Sequence, residues 1–203
     1  MPSRIVEAVG DRSFVRFGGL AGILLALTSW AAVVAYYTVA KGGQDRVGLQ
    51  VFELLYALIA VWSVFGVVAV HVHARSAGEA WSFFATLVGV AASVGTITEG
   101  LYQVASIRAN AAVASPSPVN PLDLMTFGLT GLWFLIANLV LWRTATSRRL
   151  VLLGFVVAFD LFAGFLAALS DSAGSVALAA VVAGAVVGPL YWLWLGIDLR
   201  RTA

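Results

Sequence analysis

The segment from Trp81 to Ile107 is apolar and long enough to cross a bilayer, yet it carries a carboxylate, Glu99, well inside it. A charged group at the centre of a spanning helix costs roughly 2.5 to 3.5 kcal/mol on insertion scales, so such residues usually face the protein interior or a wet cavity. Polar residues recur around Glu99 at steps of three or four, which places them on one helix face. They are Ser93, Thr96, Glu99, Gln103 and Ser106, with Gly89 and Gly100 close by. The sequence therefore predicts a helix whose polar face is turned away from lipid.

The composition extends this interpretation to the whole chain of 203 residues, which is 61% hydrophobic and only 11% charged. Soluble domains are about 45 to 50% apolar and about 25% charged, so a soluble core could not bury this much apolar surface. At about 20 residues per crossing, the length accommodates a bundle of six helices with short links and no separate soluble domain. We predict an all-α, six-transmembrane-helix bundle in which residues 1–203 form a single integral membrane domain. Its spans are expected at about 18–40, 51–73, 81–107, 122–142, 150–169 and 175–197.

Two segments flank or interrupt the predicted spans. Residues 1–17 alternate arginine with apolar side chains, so we expect them to lie at the membrane surface. The apolar run 18–40 is longer than the roughly 7 to 15 residues of a signal-peptide core, and we interpret it as the first span. The proline-rich stretch 109–121 cannot continue a helix and is expected to be a surface connection, with a lid as the functional alternative.

The basic residues predict the orientation in the membrane. Nine lie in the amino-terminal segment, the second and fourth links and the carboxyl-terminal segment, namely Arg4, Arg12, Arg16, Arg75, Arg143, Arg148, Arg149, Arg200 and Arg201. The other links hold three, Lys41, Arg46 and Arg108. Cytoplasmic loops carry the excess of Lys and Arg, so we expect a multi-pass protein of the cell (inner) membrane with both termini in the cytoplasm. Four tryptophans at the predicted cytoplasmic helix ends would form an interfacial belt, namely Trp81, Trp142, Trp192 and Trp194.

Several classes of function are disfavoured by residue usage. The chain contains no cysteine, which excludes disulfides, thiolate metal sites and cysteine nucleophiles. His71 and His73, two residues apart, lie on nearly opposite helix faces and are poorly placed to hold one metal or haem. A retinal Schiff base needs a lysine deep in a span, and the only lysine is Lys41 at a span end. For these reasons we expect no metal and no cofactor. We also expect no nucleic-acid partner, because basic residues at helix ends already explain the net charge of +2.

The last predicted span contains a small-residue row and a proline. Ala180, Gly184 and Gly188 are spaced by four, which permits close helix packing within the chain or in a homodimer. Pro189 has no N–H, so we expect a kink there and a carbonyl at Ala185 that loses its ordinary helical donor. A broken helix of this kind could line a pocket.

Short motifs spread along the chain carry a resemblance to a known family. The stretch 16–22 reads RFGGLAG, FELLYAL surrounds Glu53, TEGLYQ surrounds Glu99, and the last span contains GPLYWLWLGIDL. Together they resemble the small bacterial six-span membrane proteins catalogued as domain of unknown function four-three-eight-six. The resemblance covers nearly the whole chain and implies the six-helix layout, with Glu53 and Glu99 at matching family positions. It implies no reaction and no catalytic residues.

The intramembrane acids define the predicted site. Glu53, Glu99 and Asp160 are expected at increasing depth from the outer surface, with no lysine or arginine deep in a span beside them. We predict an outward-facing pocket lined by the second to fifth spans that binds or transports a proton, a cation or a small amphiphile. The residues expected to bind the ligand are Glu53, Tyr56, Glu99, Tyr102, Gln103, Asn138 and Asp160.

Three alternatives stay open at this point. The protein could be an intramembrane enzyme acting on a lipid or isoprenoid, with Glu99 or Asp160 as general acid or base. It could be an accessory subunit of a larger membrane complex whose apolar surface is covered by another chain. Finally, protonated carboxyls together with Asn138, Thr126 and Thr130 could simply hold helices together by hydrogen bonds.

Overall fold

The computed structural model of the chain describes residues 2–110, 121–169 and 182–203, and this part of the protein is helical with short connections. The all-α prediction is confirmed for these residues. The described residues contain six α-helices, α1 (Pro2–Thr38), α2 (Arg46–Ala74), α3 (Glu79–Arg108), α4 (Pro121–Leu141), α5 (Arg148–Leu169) and α6 (Gly188–Thr202). A short 3-10 turn, Arg75–Ala77, follows α2, and a π-helical turn, Val182–Val187, leads directly into α6.

Five of the helical segments are long and apolar enough to cross a membrane, which supports a multi-pass membrane protein. They are Asp11–Thr38, Arg46–Ala77, Glu79–Arg108, Arg148–Leu169 and Val182–Thr202. In α4 the apolar part Thr126–Leu141 is shorter than the others. The second to fifth predicted spans differ from α2 to α5 by at most five residues at either end, because these apolar runs end at charged, glycine-rich or proline-rich links. The first and last differ more, since α1 already begins at Pro2 and the last described helical segment is Val182–Thr202.

The amino-terminal segment is not a separate surface helix, contrary to the sequence-based expectation. α1 runs without interruption from Pro2 to Thr38, about 56 Å at 1.5 Å per residue, so residues 2–17 continue the axis of the first span. Arginine is a good helix former and no proline interrupts the segment after Pro2, so there is no local signal to end the helix before Gly18. The predicted surface loop and lid at 109–121 lie almost wholly outside the described residues.

The helices form a ring in chain order. Each of α1 to α4 packs against the next helix in the sequence, and the ring closes where α6 packs against both α5 and α1. Short links favour such antiparallel neighbours. The interior of the ring is where the candidate site lies.

Glycines allow two of these helix contacts to be very close. A Cβ built on Gly196 of α6 would lie 2.5 Å from the carbonyl oxygen of Gly19 in α1, and one built on Gly22 would lie 3.1 Å from the carbonyl oxygen of Trp192. On the other side of α1, Gly18 lies directly against Ala69 of α2. The glycines of RFGGLAG and the last glycine of GPLYWLWLGIDL are therefore the contact points at which α1 packs against its neighbours.

One of the predicted belt tryptophans belongs to the core. Trp192 is only 6% exposed, and its ring stacks on Trp133 of α4 with a centroid distance of 5.1 Å and an interplanar angle of 4°. Trp81, Trp142 and Trp194 are exposed, as interfacial residues would be. The expectation for Trp192 was wrong because its face of α6 is turned into the ring, where Gly66 of α2 leaves space for the six-membered ring of the indole.

The break before α6 is stabilised by a neighbouring helix. The indole N–H of Trp30 in α1 donates to the carbonyl oxygen of Ala185 at 3.1 Å, which is the carbonyl that Pro189 leaves without its ordinary donor. The expected small-residue contact is not made at Gly184, since no described atom lies within 4 Å of its Cβ position. Ala180 lies outside the described residues.

Candidate functional site

A cavity of about 140 Å³ lies inside the ring, partly open to its surroundings. Most of its wall comes from α2, α3 and α4, while α1 and α6 contribute one residue each and α5 contributes none. Its lining residues are Leu25, Tyr56, Ile59, Ala60, Ser63, Val67, Gly89, Ala92, Ser93, Thr96, Thr126, Thr130, Trp133, Phe134 and Trp192. None of these described residues carries a charge. Of the second to fifth spans, which were expected to line the pocket, α2, α3 and α4 contribute lining residues, and none of the three predicted acids is among them.

Two pairs of hydroxyls connect helices at the cavity wall. Ser63 of α2 and Ser93 of α3 have their oxygens 2.6 Å apart. Thr96 of α3 and Thr126 of α4 are 3.2 Å apart. In a spanning helix a hydroxyl pair of this kind supplies polar contacts between helices without placing a charge in the membrane. All four residues line the cavity, and none of them carries a charge.

Aromatic rings form another part of the wall. Phe134 packs edge-to-face against Trp133, with centroids 4.8 Å apart, and against the buried ring of Tyr191 at 4.9 Å. The stacked Trp133 and Trp192 rings complete this wall. Such clusters are rigid, because each ring has few rotatable bonds and is held by its neighbours. The cavity thus has one hydroxyl-bearing wall and one flat aromatic wall.

Gly89 of α3 connects the two walls. A Cβ at this position would lie 2.5 Å from Cδ1 and 2.9 Å from Nε1 of Trp133, so only glycine allows the indole to approach α3 this closely. The Ser93 hydroxyl, one turn further along α3, lies 2.8 Å from the carbonyl oxygen of Gly89. The nitrogen edge of Trp133 and the serine pair consequently occupy the same part of the cavity wall.

The predicted polar face of α3 is confirmed as an interior face. Its five polar residues are all buried, with Glu99 at 6% and Gln103 at 4% exposure. Glu99 and Gln103 do not line the described cavity. Thr96 does, and Glu99 follows it by three residues on the same face. The carboxyl thus continues the polar face beyond the cavity wall.

The second span contributes one of its two predicted ligand residues to the cavity. Tyr56 lines it, whereas Glu53, half-buried, does not. A Cβ on Gly100 would lie 2.8 Å from the carbonyl oxygen of Glu53, so α2 and α3 cross closely beside Glu53 and Glu99. Tyr102 is 60% exposed on the outside of α3, and the structure does not bring it to the site. Consecutive helical residues are about 100° apart, which separates Tyr102 from buried Gln103.

Asn138 is fully buried and connects α4 to α6. Its Oδ1 accepts a hydrogen bond of 3.2 Å from the hydroxyl of Tyr191, and its amide donates to the carbonyl oxygen of Phe134 at 2.7 Å. Gly154 of α5 leaves room for the amide, since a Cβ there would overlap it. These contacts match the helix-connecting role considered for Asn138, and the residue does not line the cavity.

Asp160 lies apart from the other acids. It is half-buried on α5 and accepts a hydrogen bond from the backbone N–H of Ala183 in the π-helical turn. Its Oδ2 atom is buried and has no hydrogen-bond partner within the described part of the chain. The structure therefore associates Asp160 with the break before α6 and not with the cavity.

The two histidines make separate contacts at the other end of the helices. His71 Nδ1 lies 2.9 Å from the hydroxyl of Ser82, and His73 Nε2 lies 3.5 Å from that of Thr146. In the ranges 2–110, 121–169 and 182–203, no group of three or more His, Cys, Asp or Glu residues could hold a metal ion. The geometry of the described residues thus offers no metal centre.

Two cavity residues, Ser63 and Trp133, were not among those singled out from the sequence. A signal for Ser63 existed, because it follows Tyr56 by seven residues and so shares its helix face. No comparable signal marked Trp133, which looks like any aromatic residue inside an apolar span. Its position depends on the glycine of another helix.

Comparison of the chain with protein-family models, curated proteins and solved structures finds no match in any of the three. The resemblance carried by RFGGLAG and GPLYWLWLGIDL stays a prediction. A functional interpretation therefore rests on the geometry of the cavity and of the acids around it.

Proposed function

We propose that this protein binds a small amphiphile inside the membrane, in the cavity enclosed by the helix ring. The observation that carries the proposal is the cavity itself, whose lining combines hydroxyl-bearing residues of three helices with a stacked tryptophan pair and, among the described residues, includes no charge. An apolar protein cavity of about 150 Å³ can hold benzene. A cavity of about 140 Å³ with added hydroxyls suits a molecule with a compact apolar body and a neutral polar group.

The proposed topology has six crossings, with α4 as the shortest, and both termini in the cytoplasm of a bacterial cell. With 21 residues in total, α4 would be about 31 Å long, which approaches the thickness of a bilayer core. The exposed rings of Trp81 and Trp142 lie at the helix ends assigned to the cytoplasmic surface. In this proposed arrangement the cavity would lie within the hydrocarbon region, which a small amphiphile can reach through lipid.

A second candidate, binding or transport of a proton or cation, is supported by Asp160. Its buried Oδ2 has no partner among the described residues, and it lies beside the π-helical turn of the last span. Single π-helical turns in helices are frequent at functional sites. This candidate ranks second because Asp160 and the cavity are on different parts of the ring. The enzyme and accessory-subunit alternatives have no supporting observation among the described residues.

The proposal is tested with a fluorinated probe. Wild-type protein in lipid nanodiscs is titrated with 4-fluorophenol and followed by fluorine NMR, beside a variant in which Ala60→Leu fills the cavity. We expect saturable binding to the wild type that is lost in the variant, because Ala60 is a buried lining residue. Circular dichroism verifies that the variant keeps its helices. If 4-fluorophenol partitions equally into nanodiscs that contain the wild type and into nanodiscs that contain the Ala60→Leu variant, the proposal is overturned.

A further inference from the structure

We infer that the ligand is a neutral alcohol or phenol, whose hydroxyl is bound where Trp133, Ser63 and Ser93 meet. This inference rests on the proposed binding function and names its ligand class. The donors and acceptors that these three side chains already use within the protein decide which hydrogen-bonding groups remain for a ligand.

The two serines use their protons inside the protein. Ser63 Oγ lies 2.8 Å from the carbonyl oxygen of Ala60, Ser93 Oγ lies 2.8 Å from that of Gly89, and the two hydroxyls are 2.6 Å apart. Three contacts thus compete for two protons. A hydroxyl has one proton and two acceptor lone pairs, so the serine oxygens keep acceptor capacity but have no proton left for a ligand.

Trp133 supplies the complementary donor. Its side chain is only 2% exposed, and no described residue accepts a hydrogen bond from its indole N–H. This nitrogen lies beside Gly89, the residue whose carbonyl contacts the Ser93 hydroxyl. Indole nitrogen can only donate a hydrogen bond, so a ligand that contacts it must offer an acceptor. This corner of the cavity therefore presents one donor next to acceptor oxygens.

A hydroxyl group matches both requirements. It can accept from the indole N–H and donate to a serine oxygen at the same time, which a ketone, an ether or a hydrocarbon cannot do. A carboxylate would bring an unneutralised charge into a site whose described lining has no cation, at high desolvation cost. An ammonium group would find acceptors but leave the indole donor unused. The remainder of the ligand would lie against the stacked rings of Trp133 and Trp192.

The test compares 4-fluorophenol with 4-fluorotoluene, which replaces the hydroxyl by a methyl group of similar size. Affinities are measured by fluorine NMR in nanodiscs and referred to the membrane concentration of each probe. We expect the phenol to bind about tenfold more tightly, as one to two added hydrogen bonds would give. Trp133→Phe should reduce this preference severalfold, because phenylalanine keeps an aromatic ring but has no N–H.

Trp192→Phe is the matched control. It removes the same ring area from the other half of the stack, but the indole nitrogen that lies beside Gly89 belongs to Trp133 and not to Trp192. The phenol preference should persist in this variant. Ser93→Ala gives a second test that does not depend on the folding of Trp133→Phe, and it should also lower the preference.

The outcomes separate the two proposals. Saturable binding of both probes with equal affinity, or an unchanged preference in both Trp133→Phe and Ser93→Ala, would overturn the alcohol inference and leave the binding function standing. Absence of saturable binding for either probe would overturn both. Preferential binding of the phenol that depends on Trp133 and Ser93 would support both.

Discussion

The indole N–H of Trp30 donates a hydrogen bond of 3.1 Å to the carbonyl oxygen of Ala185, joining α1 to the turn that precedes α6. Ala185 lies four residues before Pro189, so its carbonyl has no donor at the usual helical position. The tryptophan of a neighbouring helix replaces the missing N–H. A break in a membrane helix is tolerated where a neighbouring side chain satisfies the exposed backbone in this way.

This relationship predicts a coupled effect of two substitutions. Trp30→Phe should lower the free energy of unfolding by about 0.5 to 1.5 kcal/mol, since it removes the hydrogen bond to the part-buried carbonyl of Ala185. In a Pro189→Ala background, Trp30→Phe should lower the free energy of unfolding by less, because residue 189 then has an N–H that can donate to the carbonyl oxygen of Ala185. Chemical unfolding in detergent measures both costs in a double-mutant cycle. An equal cost in the two backgrounds would contradict the role assigned to Trp30.

The close packing of α1 and α6 predicts a difference between two glycines. Gly196→Ala should destabilise the protein by about 1 to 3 kcal/mol, because the new Cβ would lie 2.5 Å from the carbonyl oxygen of Gly19. Gly184→Ala is the control, since no described atom lies within 4 Å of its Cβ position. This change should be neutral or stabilise by up to about 1 kcal/mol. Similar losses of thermal stability in both variants would refute the proposed contact.

The buried contact between Asn138 and Tyr191 predicts a stabilising role. Tyr191→Phe removes the hydroxyl that donates to Asn138 Oδ1 at 3.2 Å and should cost about 1 to 3 kcal/mol. Tyr37→Phe, at a side chain 63% exposed, should change the unfolding free energy by less than about 0.5 kcal/mol. Thermal unfolding of both variants in the same detergent gives the comparison. If the two variants unfold at the same temperature, the hydrogen bond between Tyr191 and Asn138 does not stabilise the protein.

The orientation of the chain can be tested because it has no cysteine of its own. Cysteine is introduced at the exposed positions Gln44, between α1 and α2, and Ala145, between α4 and α5. In intact cells a membrane-impermeant maleimide should label Gln44→Cys, and it should label Ala145→Cys only after permeabilisation. Labelling in the reverse pattern would invert the proposed topology, and labelling of both in intact cells would show that the two links share one side.

The sequence was sufficient to locate α2 to α5 and the interior face of α3, but not the start of α1. Apolar runs bounded by charged or proline-rich links define where a span can begin and end. The polar residues around Glu99 repeat at helical spacing, and all five are buried in the structure. The orphaned carbonyl of Ala185 also followed from Pro189 alone, because it depends only on local geometry. These features are properties of single helices.

The cavity was not predictable in the same way, because it depends on how helices rotate against one another. Trp192 looked like an interfacial residue near the chain end, and its burial depends on Gly66 of another helix. Tyr102 and Gln103 are neighbours in sequence but lie on different faces of α3. Asp160 has the character of a site residue, yet α5 directs it to Ala183 and contributes nothing to the cavity.

The central claim, that a small molecule occupies the helix ring, is tested most directly by locating a heavy atom. Crystals of the protein grown in lipid are soaked with 4-bromophenol, and the bromine is located by its anomalous scattering. The predicted result is a bromine peak between the Trp133 and Trp192 rings and the wall that bears Ser63 and Ser93. Peaks confined to the lipid-facing surface, with an empty cavity, would contradict the proposal.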